Sequence, residues 1–68
     1  MSNLIMKYFA FAHLPTHLQK TSRPIGKLAM RMDGELPDCP EKSAGLRKLL
    51  EAKDCFVRAA LERHRVKP

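Results

Sequence analysis

Lys20, Arg23, Lys27 and Arg31 recur at three- or four-residue steps, the spacing that aligns side chains along one side of a helix. No acid occurs from Ser2 to Met32, and all seven acidic residues lie from Asp33 onward. A row of cations without interleaved acids creates a positive field suited to phosphates. Tyr8, Phe9 and Phe11 precede the row. Aromatic faces beside cations are what a base joined to a phosphate requires. The competing reading is a plain solvated helix face, with the aromatics serving the core of a small protein.

Two other groups of residues invite chemistry. His13 and His17 stand four apart, the separation at which two imidazoles can share a metal on one helix turn. Pro15 lies between them and suits the first turn of a helix, which leaves His13 outside it. A further ligand would have to come from Cys39, Cys55 or Asp33, so no metal site is expected. Cys55 could act as a nucleophile only with a lowered pKa. It sits inside a helical pattern beside Asp54, with nothing to stabilise a thiolate. No nucleophile elbow, phosphate-binding glycine loop or paired-carboxylate site appears. The chain reads as a binder, not an enzyme, with no cofactor.

The elements that must carry these residues are short to describe. Residues 1–13 include LIMKYFAFAH and read as an extended N-terminal segment, with Phe9 and Phe11 sharing a face. Met6 is a second possible start. Residues 15–35 read as a first helix with Leu18, Ile25, Leu28 and Met32 near one face. Pro24 lies in its middle and Gly26 just after it, a costly pair of residues for a helix interior at roughly 3 kcal/mol for the proline. The pattern predicts a kink there, or alternatively a break between two short helices. Gly26 would let another backbone or a ligand come close to that bend.

DGELPDCP then forms a connector with Gly34 and Pro37 as breakers. Asp38 with Glu41 three residues on predicts a capping box that opens a long helix over 38–63. Leu46, Leu49, Ala52, Phe56, Val57 and Ala60 make its apolar stripe. Arg47, Glu51, Asp54, Arg58, Glu62 and Arg65 make its mixed-sign solvated face. The fold class that follows is all-α: one domain over 1–68, an antiparallel hairpin with a kinked first helix and a long second helix.

Sixty-eight residues with a formal charge of +6 bound the rest. A chain this small buries only about 60% of its unfolded surface, so it needs a disulfide, a metal or a partner chain. Two cysteines without a CxxC pair and no signal-peptide pattern argue for a reduced, cytoplasmic protein. No apolar run is long enough to cross a membrane. Self-association is the remaining source of core.

The stretches FAFAHLPTHLQKTSRPIGKLA, LP and EKSAGLRKLLEAKDCFVRAAL resemble the small phage helical-hairpin proteins of the anti-CBASS and anti-Thoeris sponge family, over roughly residues 8–61. Leu46, Leu49, Glu51 and Ala52 match the family's ALTxLEEAxMWA-type run as they stand. The family's tryptophan falls near Cys55 or Phe56, and the preceding methionine on Asp54. Its first-helix tyrosine falls on Phe11, and its ligand-contacting lysine near Gly26 or Lys27. The resemblance implies a phage-encoded protein of the host cytoplasm that sequesters cyclic oligonucleotide immune signals, or cyclic ADP-ribose isomers, without degrading them. It also implies a homo-oligomer, hexameric and built from dimers, with ligand held between protomers. The expected ligand-binding set is Phe11, His13, Lys20, Arg23, Gly26 and Lys27, with no membrane partner and nucleic acid disfavoured. The alternative is a small basic helical adaptor for a host protein or nucleic acid.

Overall fold

A computed structural model describes residues 4–65, with side chains described as far as Glu62. The order of elements is a 3-10 helix Leu4–Phe9, helix α1 Thr16–Glu35 and helix α2 Pro40–Arg65. The two long helices pack as an antiparallel hairpin within an envelope of 47 × 19 × 15 Å. The first part of residues 1–13 is therefore not extended: Leu4–Phe9 is helical, while residues 1–3 lie outside the described range. The 3-10 turn aims Ile5, Met6 and Phe9 together at the hairpin, which an extended strand with its two-residue alternation would not do. Among the described residues, no helix is long and apolar enough to cross a membrane.

Helix α1 runs unbroken through Pro24, so the two-short-helix alternative does not hold. Pro24 is exposed, on the solvent side of the helix. The Lys20 carbonyl that it deprives of a donor can therefore be satisfied by water instead of remaining orphaned. Pro15 sits one position earlier than the first turn, at the N-cap, and its carbonyl accepts N–H bonds from Leu18 at 2.9 Å and Gln19 at 3.0 Å. Gly34 does not break the helix; Leu36, extended at φ −103° and followed by Pro37, ends it.

The buried side of α1 consists of Leu18, Ser22, Gly26 and Ala29, with Ile25 and Met32 partly buried. Small residues at 22, 26 and 29 let neighbouring backbone approach closely. A methyl group at position 26 would sit 2.8 Å from the Phe9 carbonyl oxygen and 3.1 Å from Cδ1 of Phe11. The backbone that comes close to Gly26 is thus the chain's own N-terminal segment.

Helix α2 starts at Pro40, not Asp38, which makes Cys39 the N-cap position; its carbonyl accepts the Ser43 N–H at 3.1 Å. A proline is pre-set for the first helical position, and this outweighs the Asp38–Glu41 capping spacing. The apolar stripe is also rotated from the expectation. Leu46 is buried, Leu49, Leu50, Ala52, Val57 and Ala60 are partly buried, but Phe56 is 54% exposed. Lys42 and Lys53 take the buried positions instead. Phe9, Ala29 and Leu46 form the centre of the core, one residue from each helix.

Candidate functional site

The six expected ligand residues divide between two surroundings. Lys20, Arg23 and Lys27 are exposed, on the side of α1 turned away from Leu18, Ser22 and Ala29. Arg31 continues the row, but its Nε donates to Glu35 Oε2 at 3.1 Å, one helical turn along. The positive field of α1 is therefore concentrated at 20–27. His13 is exposed in the turn that follows the 3-10 helix. Leu14 N–H bonds to the Phe11 carbonyl at 3.1 Å, and the Gln19 side chain donates to the Ala12 and Leu14 carbonyls at 3.3 and 2.7 Å. The turn is thereby pinned to the first turn of α1.

Phe11 and Gly26 meet, with the Phe11 ring half-buried against the glycine. Arg23 precedes Gly26 by three residues and Lys27 follows it directly, so both cations leave the helix near the edge where the ring lies. Nearby, the Lys7 ammonium stands 5.1 Å from the Tyr8 ring centroid, and Tyr8 is 55% exposed. The arrangement offers the half-buried Phe11 ring beside exposed cations of α1.

The described cavity lies elsewhere. A groove of about 300 Å³ runs between α1 and α2 near the connector, lined by Leu28, Met32, Leu36, Gly45, Leu46 and Leu49 among others. None of the six expected residues lines it.

Sequence reasoning missed the two buried lysines. Lys42 Nζ donates to the Asp33 carbonyl at 3.0 Å, the Leu36 carbonyl at 3.1 Å and the Asp38 carboxylate. Three ammonium protons meet three acceptors. Asp33 Oδ1 adds a 3.1 Å ionic contact from a direction that makes no hydrogen bond. The hydrogen bond and charge of Lys42 hold Asp38 below its ordinary carboxylate pKa. The bond to Asp38 in turn raises Lys42 above its own, against the opposing effect of desolvation. Lys53 Nζ donates to the Tyr8 carbonyl at 2.7 Å and lies 3.4 Å from Asp54 Oδ1. Both lysines thus cap helix ends from α2: one closes α1, the other closes the 3-10 helix. The available signal was their place in the series 42, 46, 49, 53, whose heptad steps put them on the Leu46 side of α2.

Among the described residues, no group of three or more metal-ligating side chains comes together, and Cys39 and Cys55 are free and exposed. Comparison with protein-family models, curated proteins and solved structures finds no match.

Proposed function

We propose that the protein captures an anionic nucleotide signal of the cyclic oligonucleotide class and holds it without converting it, acting as a phage-encoded sponge in the host cytoplasm. The observation that carries this reading is the exposed, acid-free row Lys20, Arg23 and Lys27 with the Phe11 ring fixed at its edge on Gly26. Cations would hold the phosphates and the aromatic ring would stack a base. The likeness of the sequence to sponge hairpins points the same way. Exposed side chains along one helix enclose little of a small ligand, so capture requires a second copy of the chain to complete the pocket. The homo-oligomer, as a hexamer built from dimers, belongs to this same proposal.

The test is a thermal-shift panel of cyclic dinucleotides, cyclic trinucleotides and cyclic ADP-ribose isomers. A true ligand at 100 times its dissociation constant adds about 2.7 kcal/mol of stability. Arg23→Ala and Phe11→Ala should each weaken binding about tenfold or more while the fold survives, since both side chains lie outside the core. A panel without any shift counts against the sponge. Normal binding by both variants would place the site elsewhere. The openness of the cationic row favours a second reading, an adaptor that lies along a nucleic-acid backbone. Affinity for a duplex that collapses between low and moderate salt would support it.

A further inference from the structure

Helix α2 carries two seams that share Leu49, and only the first lies wholly within the hairpin. The first, through Lys42, Leu46, Leu49 and Lys53, faces α1 and the 3-10 helix. The second runs through Gly45, Leu49, Ala52, Phe56 and Ala59, spaced by alternating steps of four and three. These are heptad steps, and they lie about a quarter-turn around the helix from the first seam. Phe56 is 54% exposed, Gly45 and Ala59 are exposed, and the apolar groove with Leu28 and Leu36, 44% and 46% exposed, opens beside Gly45 and Leu49 at the connector end of the seam.

We infer that this second seam is covered by the same seam of a second copy, running antiparallel, so that two hairpins close a four-helix bundle. Three observations select that occupant. The first is exposure: Phe56 at 54% and the neighbouring Leu28 and Leu36 stay uncovered in a chain too small to leave apolar side chains out of its core.

The second is size alternation. The large residues Leu49 and Phe56 hold one heptad position, and the small residues Gly45, Ala52 and Ala59 hold the other. Antiparallel pairing sets each position against the other, so every large side chain meets a small one. Parallel pairing would stack Phe56 on Phe56 and leave voids at Ala52.

The third is charge. Two registers preserve the large-to-small pairing. One brings Glu41 and Glu62 of opposite copies together. The other sets Ala52 against Phe56 and Leu49 against Ala59, with Lys48 flanking Glu62 of the other copy on both sides of the two-fold axis. Lys48 and Glu62 are exposed, and opposite charges favour this second register. It also brings the two Cys55 residues level at the axis. Lys20, Arg23 and Lys27 lie on a different side of α1 and stay open.

This inference supplies the dimer contact of the homo-oligomer in the proposed function, but it names no ligand and its readout is mass, so it fails separately from nucleotide capture. Sedimentation equilibrium on the full chain should give a dimer or a hexamer built from dimers, and Ala52→Glu should lower that mass by breaking the dimer contact, at unchanged helicity by circular dichroism. Lys48→Glu and Glu62→Lys should each weaken the dimer at least severalfold, and the double exchange should restore it. In a Cys39→Ser chain, a short bis-maleimide should join Cys55 to Cys55. A chain that stays monomeric at its highest soluble concentration overturns the proposal. A dimer that tolerates Ala52→Glu, ignores the charge exchange or resists the cross-link overturns the seam and its register.

Discussion

Glycine usually weakens a helix interior by about 0.5–1 kcal/mol relative to alanine, through the freedom it retains when unfolded. Gly26 and Gly34 both lie inside α1, yet their surroundings predict opposite signs. A Cβ at position 34 meets nothing within 4 Å, while one at position 26 meets the Phe9 carbonyl at 2.8 Å. Gly34→Ala should therefore stabilise by about 0.5–1 kcal/mol. Gly26→Ala should destabilise by roughly 1–3 kcal/mol, because the Phe9 backbone must move away. Urea denaturation of the two variants decides this, and two shifts of the same sign would refute the close approach. Ser22 belongs to the same contact region: its hydroxyl is fully buried without a hydrogen-bond partner among the described residues. It acts there as a small spacer.

At the scale of elements, the hairpin is held by side chains that reach across it. Lys42 draws together the end of α1 and the connector through Asp33, Leu36 and Asp38. The depressed Asp38 pKa fixes how this responds to acid. The folded state binds that proton less readily than the unfolded chain. The stabilisation is therefore full above the ordinary carboxylate value and is lost as pH falls through the lower, folded value. Lys42 works in the other direction: its contribution is full below the ordinary lysine pKa and disappears as pH rises through the raised one. Asp38→Asn should flatten the acid limb of a Tm–pH profile, and Lys42→Met should flatten both limbs and lower Tm more than Lys20→Met, on the open face of α1, does. An unchanged acid limb in Asp38→Asn would show that the carboxylate carries no linkage.

Much of this scale could be read from the residues. Two helices, a proline-bearing connector and an exposed cationic row follow from period and sign alone. The rotation of α2 did not, because Leu49, Ala52, Phe56 and Ala60 offer a second apolar direction as good as the one α1 uses. Lysines at 42 and 53 disguised the true one. Their aliphatic stems pack while their ammonium groups serve backbone carbonyls, a double role that a hydrophobicity pattern scores as polar. The 3-10 helix was hidden for a related reason, since its aromatic residues favour strands until Gly26 and Lys53 supply a seat for a helix end.

On the scale of the whole molecule, the core is thin. Truncating Leu46, which is 2% exposed at its centre, should cost about 2–5 kcal/mol. That is a large part of the total for a domain of this size, at roughly 0.05–0.15 kcal/mol per residue. Leu46→Ala should thus be substantially unfolded at 37 °C, as the loss of far-ultraviolet circular dichroism would report, and a full cooperative transition above that temperature would contradict it.

The bond from Lys53 to the Tyr8 carbonyl joins residues 45 apart in sequence, whereas the contacts of Lys42 span no more than nine. Closing the longer loop carries the greater entropy loss. The hairpin can assemble from its own turn outward, and the N-terminal helix docks onto a platform already made. In hydrogen exchange the same order should appear in reverse, with the amides of Leu4–Phe9 opening first through a local event that leaves α1 and α2 paired. During that opening Gly26, Ser22 and the seat of Phe9 face solvent together, and the molecule briefly shows an apolar groove on each side.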